Sequence, residues 1–180
     1  MAFESVKRWF RRDPNEGTAR VLFARCVDQS REPALYTRLG VPDTLEGRFE
    51  MLALHVFLVV RTLRVEGARD PLGQAVFDEM TRSLDANYRE EGYGDAKVAR
   101  LVRGHAEQFY GRALAYDRAL AAGGEGLAGA LARNAYGDED ASAEALAAYV
   151  RRAEASLTDD DLRAGRAGFP AITEDTHAAA

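Results

Sequence analysis

Cysteine is almost missing: Cys26 stands alone in 180 residues. One thiol excludes an internal disulfide framework and any zinc or iron–sulfur site built on several cysteines. Isoleucine occurs once and lysine twice, against 33 alanines and 22 arginines. A chain so poor in β-branched residues and so rich in alanine favours helix over strand. No apolar run reaches the ~18 residues a membrane span needs. The longest, Phe49 to Val60, is broken by Glu50 and His55. The N-terminus offers Trp9 and arginines where a secretory leader would have an apolar core, so none is expected. The net charge of −5 argues against a general nucleic-acid binder.

The apolar residues recur with the helical period, and no run alternates with period two. The expected architecture is all-α. It is a single compact domain of six or seven helices around a central apolar helix, with a short N-terminal amphipathic arm. The expected divisions are an arm at 1–14, a helical domain at 15–165 and a flexible tail at 166–180. In the arm, Phe3, Trp9 and Phe10 face one way and Lys7, Arg8, Arg11 and Arg12 the other. These seven residues are the candidate membrane contact, with aromatics at the headgroup boundary and arginines on anionic lipid. Pro14 closes the arm.

The central helix is expected from Asp43, as cap with Glu46, to Gly67. Its main apolar stripe reads Leu45, Phe49, Leu52, Val56, Val59, Val60 and Leu63. Asp70 and Pro71 open the next helix, with proline where its missing N–H costs nothing. Gly92 stops it. Asp95 begins the longest helix, which Gly123 and Gly124 end. A brief helix near 127–133 and another over 142–157 follow, and Asp159–Asp161 reads as a turn.

Motifs of catalysis are sparse. Gly124, Gly126 and Gly129 satisfy G-x-G-x-x-G, but a helix precedes them where a dinucleotide site needs a strand, so they read as an inter-helix connection. There is no Walker loop and no H-E-x-x-H. His55, His105 and His177 are far apart, and no metal or cofactor is expected. Cys26 sits among apolar residues and reads as a small buried hydrophobe.

Two helices depart from simple amphipathy. Arg48, Met51, His55 and Leu58 form a second, mixed face on the central helix. On the long helix, His105 and Arg112 share a side with Phe109. A buried Arg must find a partner or reach water. One reading is an Arg paired with a carboxylate in the core. The other is that these seven residues line an open cleft for an unfolded apolar client. Lys97, Arg100 and Arg103 add a basic stripe, read as a solvated face, with ribosomal RNA or anionic lipid as the alternative contact.

The string from Leu35 to Arg61, LYTRLGVPDTLEGRFEMLALHVFLVVR, resembles the ubiquinol–cytochrome c chaperone family. Phe77-Asp-Glu-Met, Gly92-Tyr-Gly-Asp and Phe109-Tyr-Gly-Arg-Ala-Leu-Ala-Tyr follow in the order that resemblance requires. The similarity spans about 18–136. It implies an all-α fold, no catalysis and no cofactor. It implies a chaperone for assembly of ubiquinol–cytochrome c reductase that binds newly synthesised cytochrome b. Mitochondrial members of the family work with a second assembly factor near the ribosomal exit; such a factor, and weak ribosome or inner-membrane contact from the cytoplasmic side, are further expected partners that the matching residues do not themselves imply. A helical adaptor for a soluble protein is the alternative from another class.

Overall fold

The computed structural model describes residues 14–64, 70–138 and 143–172, and every regular element among them is helical. The helices are α1 (Glu16–Ser30), α2 (Pro33–Thr37), α3 (Leu45–Thr62), α4 (Pro71–Glu90), α5 (Asp95–Ala121), α6 (Leu127–Leu131), α7 (Glu144–Ser156) and α8 (Asp159–Arg163). A π-helical turn, Ala132–Tyr136, continues α6. The arm, with Phe3, Lys7, Arg8, Trp9, Phe10, Arg11 and Arg12, lies outside the described residues. None of the described helices is long and apolar enough to cross a membrane.

α3 is the centre, as its apolar composition predicts. It touches α1, α4, α5, the π turn and α7. Every side chain from Ala53 to Val59 is buried, and so is Met51. The stripe expected to face inward is therefore not what distinguishes inside from outside. Leu45 at its start is 83% exposed, while Met51, Leu54 and Leu58 on other sides are at most 1% exposed. A helix enclosed by five neighbours has no solvent face to mark by polarity.

Helix ends follow local chemistry. Thr44, one residue beyond the expected Asp43, caps α3 by accepting from Gly47 N at 3.1 Å. Asp43 is committed to Arg48 instead, with Nε–Oδ1 at 2.6 Å. The chain enters α3 so tightly that a Cβ on Gly47 would fall 1.9 Å from Pro42 O. Asp70 caps α4 as expected, accepting from Leu72 N at 2.8 Å and Gly73 N at 3.2 Å. Its other oxygen accepts from Arg163 Nη2 at 2.8 Å, which ties α4 to α8. Burial pushes the Asp70 carboxyl up, but Arg163 and the two amides outweigh it and hold the group below its ordinary value. Asp70→Ala is expected to cost about 1 kcal/mol through the lost cap. That corresponds to a fall in Tm of about 2–4 °C for a chain of this size. An unchanged melting curve by circular dichroism would refute the role of this cap.

Two expectations near the C-terminus need correction. Asp159–Arg163 is a short helix capped by Thr158, where a turn was expected. Of the flexible tail expected at 166–180, residues 173–180 lie outside the described residues, while Ala167, Phe169 and Ile172 pack on the domain. Ile172 is 6% exposed, and the Phe169 ring meets His55 edge-on at 4.9 Å between centroids. A plug of this kind has too few residues to show a period, so only its contacts reveal it.

Candidate functional site

The seven residues expected to line one cleft occupy four separate places. Met51, His55 and Leu58 are in the core, with at most 1% exposure, and cannot meet a client in this fold. His55 Nδ1 is 2.6 Å from Met51 O, and its Nε2 is 2.7 Å from Tyr149 Oη. Gln29 Nε2 donates to the same Tyr149 oxygen at 3.1 Å. This chain of partners satisfies a buried imidazole at both nitrogens. Burial drives its pKa down to about 4, against the opposing pull of the Met51 carbonyl, so the ring is neutral at physiological pH. Cys26 is also fully buried, and desolvation pushes its thiol up, as expected of an inert core cysteine.

Arg112 and His105 form a seam between α5 and α3. Arg112 is paired with Glu50, whose side chain is 5% exposed, through a two-pronged contact. Burial raises the Glu50 carboxyl and the Arg112 guanidinium pulls it back, with burial prevailing. His105 is held between rings, with Phe49 at 4.3 Å and a parallel Tyr88 at 5.9 Å. Tyr88 Oη and His105 Nε2 are 2.6 Å apart. Burial and then the charge of Arg112 lower the His105 pKa. The seam is thus the carboxylate-paired alternative, and Glu50 is the residue that the sequence reading passed over as an interruption.

Arg48 lies elsewhere. It is exposed, paired with Asp43, and 5.8 Å from the Tyr36 ring centroid. Reversing its charge is a surface change.

Phe109 marks the fourth place. A groove of about 400 Å³ runs between the C-terminal half of α3, the start of α4 and the middle of α5. Phe57, Val60, Phe77, Phe109, Tyr110 and Ala113 give it apolar walls. Phe77 packs against Phe109 at 5.0 Å and against Tyr110 at 5.2 Å. Phe109 faces inward at 3% exposure, while Tyr110 next to it is 44% exposed. Arg61 and Arg64 stand at one end. Arg61 joins three helices, with Asp117 at 3.0 Å and Glu154 at 2.5 Å, and Arg64 reaches Asp117 at 2.9 Å. The groove has aromatic depth and a charged mouth, a combination suited to a partly apolar segment. Two adjacent aromatics on one helix, which cannot both face the core, were its only local signal.

Chemistry by metal or nucleophile finds little here. No group of three or more His, Cys, Asp or Glu among the described residues could hold a metal ion. Of the G-x-G-x-x-G glycines, Gly124 and Gly126 lie in the α5–α6 connection at positive φ, and Gly129 is inside α6. The Arg151 side chain fills the space beside Gly124, where a Cβ would meet Nε at 2.5 Å.

The profile of the ubiquinol-cytochrome C chaperone family matches residues 37–170. A Xenopus laevis protein, ubiquinol-cytochrome-c reductase complex assembly factor 1, is 24% identical over 135 residues, covering 73% of this chain and 68% of its own. The crystal structure of the Cbp3 homolog from Brucella abortus superposes with a TM-score of 0.76 at 32% identity. It covers 96% of this chain and 98% of the other. The chain belongs to the ubiquinol–cytochrome c chaperone family. It is by family an assembly chaperone of ubiquinol–cytochrome c reductase. The matched region begins later than the similarity read from the sequence and extends through α7 and α8.

Proposed function

We propose that the chain is a non-catalytic chaperone that holds newly synthesised cytochrome b, in the cytoplasm or peripherally at the inner membrane, until the reductase assembles. The groove beside Phe109 is the client site in this reading. The observation that carries it is the half-exposed Tyr110 above an aromatic floor. Such a wall shields an apolar helix yet leaves one edge wet, so affinity stays modest and release needs no added energy source. Arg61 and Arg64 at the mouth are paired with Asp117 and Glu154, so the mouth is polar and the client's apolar stretch is held by the aromatic walls. A second assembly factor would bind elsewhere on the surface.

The test is complementation of a deletion strain. Wild-type chain should restore the b-type signal in reduced-minus-oxidised spectra together with quinol–cytochrome c reductase activity. Ala113→Phe fills the groove with a ring and should weaken client capture on the order of tenfold, as central interface positions do. Its melting curve should stay near that of wild type. Full restoration of cytochrome b by this variant would refute the groove as the client site. A normal b-type signal in the deletion strain would refute the cytochrome b client itself.

A further inference from the structure

The outer side of α5 meets the groove at Tyr110, and its other residues are not used by the client reading. At 100° per residue, Arg100, Arg103, Glu107, Tyr110, Leu114 and Arg118 fall on one side of this helix, and all six are exposed. Lys97 flanks them, with Nζ 3.7 Å from the Tyr93 ring centroid. Four cations thus face a single carboxylate, Glu107, on a chain whose net charge is −5. Among the described residues, no ion pair engages Arg100 or Arg103. Among the described residues, Tyr110 and Leu114, 44% and 52% exposed, are two of the four exposed large hydrophobic side chains. They lie within the basic stripe, on the same side.

We infer that this side of α5 is a docking face for an anionic membrane surface, with the arginines on lipid phosphates and Leu114 and Tyr110 at the headgroup boundary. The stretch from Lys97 to Arg118 is about 32 Å of rigid helix at 1.5 Å per residue. A straight convex face suits a plane better than it suits a cleft. Charge alone would serve RNA equally well, but an exposed leucine amid the arginines gains nothing from a phosphate backbone. At a bilayer interface it gains by burial. The inference rests on the peripheral placement proposed above. It adds the face that makes contact and the lipid chemistry that it reads, and it needs no client.

The test is co-sedimentation of the full chain with vesicles of phosphatidylcholine alone and with phosphatidylglycerol added. Wild type should bind the second and not the first, and salt should weaken the binding. Arg100→Glu/Arg103→Glu should reduce binding by tenfold or more, since each cation near an anionic surface contributes a several-fold factor. Leu114→Ser should weaken it several-fold and leave the salt dependence unchanged. Melting curves of both variants should match wild type, because these residues are exposed. Binding by wild type with no change in either variant would overturn the α5 face while leaving peripheral placement intact. In that case, deleting residues 1–12 would locate the contact in the arm. Failure of wild type to bind either vesicle would overturn both. Retention on ribosomal RNA through Arg100 and Arg103, without vesicle binding, would also overturn the inference.

Discussion

Arg112→Met should destabilise the fold by about 3 kcal/mol at neutral pH, the order expected when one partner of a buried ion pair is removed. The reason is Glu50. Its carboxylate is 5% exposed and turns from the α3 backbone toward α5, where Arg112 is its partner. Without the guanidinium it must remain charged in an apolar seam or take up a proton. Burial already raises its pKa, and loss of Arg112 raises it further. A carboxyl whose folded-state pKa exceeds the unfolded value loses stability as pH rises above the unfolded value. The penalty relative to wild type should therefore be largest at pH 7 and above and shrink toward pH 4.5. Glu50→Leu/Arg112→Met should recover most of the loss, because both charges leave together. Urea unfolding at two pH values reads all of this. A single variant as stable as wild type at pH 7, or a double variant no better than the single, would refute the pair. Arg48→Glu supplies the contrast: it breaks an exposed contact with Asp43, and its melting should stay close to wild type.

Acidification should cost about 3 kcal/mol through His55 alone. The ring is neutral in the fold, with a pKa near about 4, while an unfolded chain protonates it near 6.5. Between those values the unfolded state binds the additional proton. Stability is then fully present above pH 6.5 and is lost progressively down to about pH 4. Glu50 works in the opposite direction at the low end, and His105 in the same direction as His55, so the comparison must be made against a variant. His55→Leu/Tyr149→Phe removes both polar groups from the core together, and Gln29 can turn to water from its half-buried position. The difference in unfolding free energy between wild type and this variant should change by about 3 kcal/mol across that pH window. A difference independent of pH would refute a buried neutral His55.

Much of the fold was legible because helix boundaries are local. Asp70–Pro71, Gly92 and the Gly123–Gly124 pair each act on their own turn, and the structure places helix ends beside each of them. The string from Leu35 to Arg61 pointed to the family for a similar reason: it is an unbroken stretch. The inward side of α3 was not legible. Its apolar residues surround the axis, and which are covered depends on five neighbours distant in the sequence. The client-binding residues suffered most from this. His55 could be read as a satisfied core histidine or as a cleft residue, because its partners Tyr149 and Phe169 are distant in the sequence. Arg112 stood between two readings, a carboxylate-paired core residue and a cleft residue, because its partner Glu50, 62 positions earlier, read as a break in a hydrophobic run. The groove depends on how three helices diverge, and no periodicity in one helix encodes that.

The closure of the core over His55 has a consequence for biosynthesis. Tyr149, its hydrogen-bond partner, follows it by 94 residues. At about 5–20 residues per second, translation takes about 5–20 s to deliver that partner. Phe169, which covers the other side of the ring, emerges later still. During the first part of this interval α3 has neither α5 nor α7 to enclose it, and to its end it lacks α7. A protein whose family assists the assembly of another chain therefore begins its own life with a segment as vulnerable to aggregation as the clients it serves.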